Sequence, residues 1–556
     1  MSEPTKLSPV EAVKVKSRGL RGTLTDGLQN EVTGALTHDD QTVIKFHGIY
    51  QQDDRDRREE RERKKLERAY SYMIRLRIPG GDISAEQWRG IARVADATAT
   101  GIVKITTRQT VQLHGVVKSV LKPTVQMFYD LGLDSIAACG DINRNVVAGA
   151  APVVTPFYKE AHAFADAISK HLLPKTNAFC EIWLDGEKLA GDEPEEDPLY
   201  QKRYLPRKFK IAIAIPPHND SDVLTNDIGL IAVEEKGMLT GFNVAVGGGM
   251  GTTHGNPETY PRLATIIGFA PKDKTLEVCW QIAAVQRDFG NRADRARARL
   301  KYTVDTMGVD GFRAELEKRL GFKLGPERPA ALTTRADIYG WQKDSDGSYF
   351  CTLFVENGRI VDDEAQQMKT ALRAIAETGL CRFRFTANQN IMLTRVAAKD
   401  KPALEKILKQ HKVDHAQFSR TRQDALACVA LNTCPLALAE GQRYLPALIT
   451  KIETLLAKHR LSEQPISIRM TGCPNGCARP HTAEIGFVGR SMGRYNMHIG
   501  GDHLGLRLNR LYREDLDESG ILETLDALLG RYAKERGKNE MFGDFVHRAV
   551  KFGAAA

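Results

Sequence analysis

Four cysteines in two proline-flanked pairs, Cys428-x5-Cys434-Pro435 and Cys473-Pro474-Asn475-Gly476-Cys477, constrain the fold of this chain more than any other feature. For four soft thiolates to act together, two separate turns must meet at one place. Such a set suits tetrahedral zinc or an iron–sulfur cluster. Structural zinc usually shows about two to four residues between paired ligands, so the gap of five favours the larger cluster. The other cysteines (Cys139, Cys180, Cys279, Cys351, Cys381) are scattered and read as core thiols. An odd total of nine and a polar N-terminus without an apolar leader speak against a disulfide framework and for a cytoplasmic setting.

A chain of 556 residues with 42% apolar and 27% charged residues can bury several cores without staples. Mean hydropathy is −0.35, and no apolar run is long enough to span a bilayer, so no membrane partner is expected. The net charge of +9 admits a zinc-bearing nucleic-acid-binding protein as an alternative, and the placement of the charges decides between readings. In 53–68 the signs alternate, which predicts a solvated helix rather than an RNA-binding arm.

The pattern predicts an internal duplication. A strand over 72–78 is followed by Pro79-Gly80-Gly81, a helix over 84–98 and a long strand over 102–114. One face of that last strand is wholly polar: Lys104, Thr106, Arg108, Thr110, Gln112, His114. The second half repeats the plan: a strand-like run at 350–355, a helix from 362 and a strand over 381–394 with polar Arg382, Arg384, Thr386, Asn388 and Asn390. Thr106-Thr107-Arg108-Gln109 aligns with Thr386-Ala387-Asn388-Gln389, and Ile83 with Ile360 at a similar offset. A pseudo-twofold pair is expected to bring the two polar faces together around one ligand.

Positive charge is concentrated where strands begin. Arg207, Lys208 and Lys210 lead into Ile211–Ile215, and two ammonium groups on one face repel unless an anion lies between them. Arg75 and Arg144 are further candidates for the same anion site. Gly247-Gly248-Gly249-Met250-Gly251 fits neither phosphate-loop fingerprint and reads as a tight turn or a close backbone approach.

Taken together, Phe46-His47-Gly48-Ile49-Tyr50-Gln51-Gln52-Asp53-Asp54-Arg55, Arg75-x-Arg77-x-Pro79-Gly80-Gly81, Thr107-Arg108-Gln109-Thr110, Asn143-Arg144-Asn145-Val146, Leu205-Pro206-Arg207-Lys208-Phe209-Lys210 and the two cysteine pairs resemble the siroheme-containing sulfite and nitrite reductases, in family order from about 45 to 549. The resemblance implies an α+β, three-domain architecture with a pseudo-twofold duplication. It divides the chain into an N-terminal extension (1–70), a first ferredoxin-like half-domain (71–137), an α/β substrate and siroheme domain (138–334), a second half-domain (335–412) and an iron–sulfur and siroheme-binding C-terminal domain (413–556). It implies a 4Fe–4S cluster on Cys428, Cys434, Cys473 and Cys477, with Cys477 also the axial ligand of siroheme iron. Arg108, Gln112, His114, Arg207 and Asn475 would hold the siroheme, whose eight carboxylates need a basic bed. Arg75, Arg144, Lys208 and Lys210 would meet sulfite and support its six-electron reduction to sulfide in sulfate assimilation and cysteine biosynthesis. Nitrite reduction to ammonia is the alternative. The implied partner is an electron-donor protein, either an NADPH-oxidising flavoprotein or ferredoxin, and no nucleic acid. The chain departs from the family wording after Cys477, reading Ala478-Arg479-Pro480, which bears on the siroheme contacts there.

Overall fold

The repeated unit forms two antiparallel five-stranded sheets that exchange an edge strand. The first sheet runs in the order Ile49–Asp53, Tyr70–Arg75, Val111–Val116, Val103–Ile105 and Arg359–Ile360, so its last strand comes from the second unit. The second runs Gly340–Lys343, Tyr349–Leu353, Ile391–Val396, Arg382–Phe385 and Asp82–Ile83, closing on a strand of the first unit. Ile83 pairs with Phe383 and Asp82 with Arg384, whose guanidinium grips the Asp82 carboxylate at 2.8 and 3.0 Å. Helices Ala85–Thr98 and Met368–Thr378 pack against each other, and one apolar core takes Ile83, Trp88, Ile105, Ile360, Phe383 and Phe385 from both units. The first helix starts where the sequence calls for it: Ser84 and Gln87 form a capping box, and Trp88, Ile91, Val94 and Ala95 turn inward.

This computed structural model describes residues 7–151, 154–175 and 196–552, with the backbone of Ile182–Leu184 and Glu187–Ala190. Three sequence expectations change. The long strand over 102–114 is a hairpin, Val103–Ile105 and Val111–Val116, and 381–394 is its counterpart. Both turns have one design. Gln109 and Gln389 stand in the left-handed region (φ +56° and +70°), and each donates its backbone N–H to the carbonyl of Thr106 or Thr386. The Thr106 and Thr386 hydroxyls accept from Arg108 N and Asn388 N, both at 3.2 Å. Alternation carried through the turn, which hid it. Second, the polar residues of the two units do not meet around one ligand: Thr386, Asn388 and Asn390 hydrogen-bond to buried Asp337. Third, residues 7–70 are built into the body rather than extending from it. Ile49–Asp53 is an edge strand, and Val13, Leu20, Val43 and Phe46 join the core of the middle region. The charged stretch does form an exposed helix, Arg58–Arg63.

Between the two units lies a mixed sheet (Val147–Ala148, Ile211–Ala214, Ile228–Glu235, Met238–Val246, Thr265–Pro271) packed against helices Pro156–His171 and Thr275–Phe289. The tail carries Leu426–Ala427, Ile468–Thr471 and Ile485–Ser491 as parallel neighbours, extended by antiparallel Arg494–Ile499 and Arg510–Leu516. Helices Leu445–Lys458, Glu518–Glu535 and Phe542–Ala549 close its core.

The exchange depends on Gly358, at φ +69°, where an added Cβ would lie 2.4 Å from the Ile105 carbonyl oxygen. Gly358→Ala is expected to lower stability by about 2 kcal/mol or more, read by urea unfolding of the purified chain. An unchanged midpoint would mean that the two units tolerate separation there.

Candidate cofactor and anion site

The cysteine loops converge because their supporting strands are parallel neighbours. Leu426 pairs with Arg469 and Ala427 with Met470, so both chains leave the sheet at the same edge. Cys428 N donates to Met470 O (3.2 Å), and Gly472 N approaches the Cys428 sulfur (3.4 Å). Burial, and next the Cys477 sulfur, pushes up the thiols of Cys428, Cys434 and Cys473, the last to about 12. The four sulfurs therefore feel one another across a shared space. Among the described residues, no three His, Cys, Asp or Glu side chains are grouped as a single metal ion requires. The glycine run is a close backbone approach, as one of its two readings expects, and what it approaches is the second cysteine loop. A Cβ on Gly251 would lie 3.1 Å from Asn475 O and one on Gly476 3.0 Å from Met250 O, while Thr252 N donates to Pro474 O at 2.8 Å.

A crevice lined by Arg108, Lys210, Asn226, Asn475, Cys477 and Arg479 opens beside these loops. Arg108 donates to Asn226 Oδ1 (2.5 Å), Ile211 O (3.0 Å) and Asn145 O. Burial, with Arg479 and Arg144 nearby, lowers its pKa to about 9. Lys208 and Lys210 enter from the strand ahead of Ile211. Burial, then the Arg207 charge, brings Lys208 to about 7; burial, then Lys208, takes Lys210 well below the usual lysine value. Arg207 itself falls to about 10, through burial and then Arg295. Arg144 donates to Gly140 O from Nε and Nη2 (3.2 and 3.1 Å); burial opposes its charge, but Tyr50, Cys139 and Asp141 hold it charged.

Arg75, Gln112 and His114 form a hydrogen-bonded row. Arg75 donates from Nε (3.2 Å) and Nη2 (2.7 Å) to Gln112 Oε1, which turns the Gln112 amide N–H toward His114 Nε2 (2.8 Å). His114 Nδ1 is then the donor to Gln52 Oε1 at 2.9 Å. Burial first, then Arg75 and Lys104, lowers this imidazole to about 3, so it stays neutral. Cys139 is buried but is more than a core thiol, since Arg75 Nη1 lies 3.1 Å from its sulfur. Cys279, Cys351 and Cys381 are buried as expected, and Cys180 lies outside the described residues.

Several residues escaped the sequence reading. Buried Asp222 takes Arg335 Nε on Oδ1 (2.7 Å) and Arg469 Nη1 (2.5 Å) and Arg479 Nε on Oδ2. Arg479, in the segment that departs from the family wording, also donates to Thr107 O and Ala387 O, both at 3.0 Å. Thr107 Oγ1 in turn donates to Cys477 O at 2.9 Å. Arg299 pairs with buried Asp227 (2.8 and 3.1 Å), whose carboxylate also accepts Lys210 N at 2.9 Å. Lys301 donates to the carbonyls of Gly251 (2.8 Å) and Tyr260. Only a run of polar residues, Asn219-Asp220-Ser221-Asp222, hinted at the first of these.

Positive charge outweighs carboxylate around the crevice, and among the described residues the buried Nε of Arg108 has no hydrogen-bond partner. A ligand bearing several carboxylates fits such donors.

The comparisons agree with this geometry. The chain matches the family model described as "Nitrite and sulphite reductase 4Fe-4S domain" over 164–324. The model "Nitrite/Sulfite reductase ferredoxin-like half domain" matches twice, over 64–128 and 342–411, as a duplication requires. The chain belongs to the nitrite and sulphite reductase family. Within it, the chain is 57% identical over 550 residues to a "Sulfite reductase [NADPH] hemoprotein beta-component" of Leptospira biflexa, covering 99% of each. It is 52% identical over 546 residues to that of Staphylococcus saprophyticus, covering 98% of this chain and 96% of the relative. The solved structure of the Mycobacterium tuberculosis NirA protein superposes with a TM-score of 0.77 at 25% identity, covering 98% of this chain and 97% of that one.

Burial alone would raise the pKa of Asp222, but its three arginines outweigh burial and hold it far below the usual carboxylate range. Its contribution is therefore complete above about 4 and is lost as pH falls. Asp222→Asn is expected to cost about 3 kcal/mol or more at pH 7, with the gap to wild type narrowing on acidification. Urea titrations at several pH values check this, and a gap independent of pH would contradict it.

Proposed function

We propose that this chain is the catalytic hemoprotein of a sulfite reductase, in which Cys428, Cys434, Cys473 and Cys477 would hold a 4Fe–4S cluster and Cys477 would also hold the siroheme beside it. One observation carries the reading: Cys477 belongs both to the converging thiols and to the cation-lined crevice. Arg108, Gln112, His114, Arg207 and Asn475 would hold the porphyrin's carboxylates, joined by Arg479, which the crevice adds. When bound, the pair would supply single electrons to the substrate anion.

The rest is done by side chains. Sulfite takes up six electrons and eight protons to become hydrogen sulfide and three waters. Arg75, Arg144, Lys208 and Lys210 neutralise the dianion as it enters and orient its oxygens. A lysine near pKa 7 is both acid and base at neutrality, so Lys208 can hand a proton to a departing oxygen and be reprotonated from solvent. Arg144, held charged, keeps the anion in place through each transfer.

The names of the relatives support sulfite rather than nitrite as substrate and NADPH as the distant reductant. NADPH yields electrons in pairs, whereas a cluster accepts one, so the proposed partner is a flavoprotein able to split the pair. Among the described residues no helix is long and apolar enough to cross a membrane. The cationic groups named lie in and beside an interior crevice rather than on a surface patch, which removes the motive for a nucleic-acid reading.

Reduced dye should drive sulfite to sulfide at six electrons per sulfide. Lys208→Met and Arg144→Ala are each expected to lower that turnover at least about a hundredfold, leaving the visible spectrum essentially unchanged. Native rates in either variant would remove the anion site from these residues. Because the Lys208 ammonium is lost as pH rises through about 7, kcat/KM should fall above neutrality, and Lys208→Arg should move that fall to higher pH. A profile unmoved by that substitution would show that another group carries the proton.

A further inference from the structure

Lys104 is a buried cation that neither the anion site nor the porphyrin bed uses. It is 3% exposed, in the middle of strand Val103–Ile105. Among the described residues its ammonium meets no carboxylate, and its hydrogen bond goes to the carbonyl of Asn357. Elsewhere in this molecule deeply buried cations are matched: Lys14 by Glu11, Arg299 by Asp227, and three arginines by Asp222. Of those without a carboxylate, Arg108 and Lys210 line the crevice, and Lys301 is held by three backbone carbonyls, of Gly249, Gly251 and Tyr260, where Lys104 has one. A buried ammonium held by one carbonyl is costly unless negative charge lies nearby.

The structure shows where that charge would be. The turn Glu356–Gly358, whose Asn357 carbonyl holds Lys104, packs against strand Leu426–Ala427, and Cys428 follows directly. Asn357 Nδ2 reaches the Gln442 carbonyl (3.4 Å), and Gln442 N donates to the Cys428 carbonyl (3.0 Å), so three short links join Lys104 to the first cysteine loop. From the other side, Lys104 is cross-strand partner to Gln112, and His114 lies near Thr433 Oγ1 (3.5 Å), between Cys428 and Cys434. Burial lowers the Lys104 pKa to about 7, and the charges that face it are few: the Cys428 sulfur favours its ionised form and Arg359 opposes it.

We propose that Lys104 is the counter-ion of the thiolate-bound cluster and raises its reduction potential, easing uptake of each single electron. The inference rests on the cluster assignment above. Adding an electron makes the cluster more negative without breaking a bond, and the protonated ammonium in a medium of low dielectric stabilises the reduced form more than the oxidised one.

The test uses holoprotein made with siroheme and iron supplied, and reads the cluster potential by EPR-monitored redox titration. Lys104→Met is expected to shift the potential to more negative values while iron, labile sulfide and porphyrin contents stay at wild-type levels. Lys104→Arg, which keeps the charge, should stay close to wild type. If Lys104→Met does not fold, Lys104→Gln, which can still donate to the Asn357 carbonyl, reads the same quantity. An unchanged potential in the neutral variant overturns the proposal. So does loss of porphyrin with the cluster retained, which would make Lys104 a porphyrin carboxylate ligand. A wild-type chain with no cluster signal would instead overturn the assignment on which the inference rests.

Discussion

One buried carboxylate joins the parts of this molecule. Asp222, in a turn of the middle region, holds Arg335 from the connector to the second unit and Arg469 and Arg479 from the cysteine-bearing tail. Arg479 passes the link to both hairpin turns, through Thr107 O and Ala387 O. Three guanidinium groups on one carboxylate leave an excess of buried positive charge. That excess favours binding of further anions nearby, and an anion bound to the folded chain would stabilise it.

The same logic explains how the site is built. Parallel strands deliver two cysteine loops to one edge of a sheet, and glycines at 251 and 476 let the middle region press its backbone onto the second loop. Cys477 then stands where thiols and cations meet. The duplicated units have diverged in charge. At equivalent turns, Arg108 of the first faces the crevice, while Asn388 of the second is tied to Asp337 inside the protein. One copy became a cradle and the other a buttress.

Much of this was legible in the sequence because its signals are local or periodic. The cysteine pairs announce themselves by spacing and by the prolines and glycine beside them. The duplication shows in Thr106–Gln109 against Thr386–Gln389, and Ile83 and Ile360, aligned at a similar offset, prove to lie in the exchanged strands. The hairpin turns were hidden because alternation continues through residues that no longer form a strand. Asp222 was hidden because a buried carboxylate is defined by its partners, which lie between 113 and 257 residues away. The integration of residues 7–70 depends on Val13, Leu20 and Phe46 finding a distant core, and a charged run at their end masked it.

The most direct test of this account is the metal and chromophore content of the purified holoprotein, by iron and acid-labile sulfide analysis with a visible spectrum. The account predicts about five iron atoms and about four labile sulfides per chain, with porphyrin absorption. A chain produced with siroheme available that carries zinc, or that binds a cluster but no porphyrin, would contradict it.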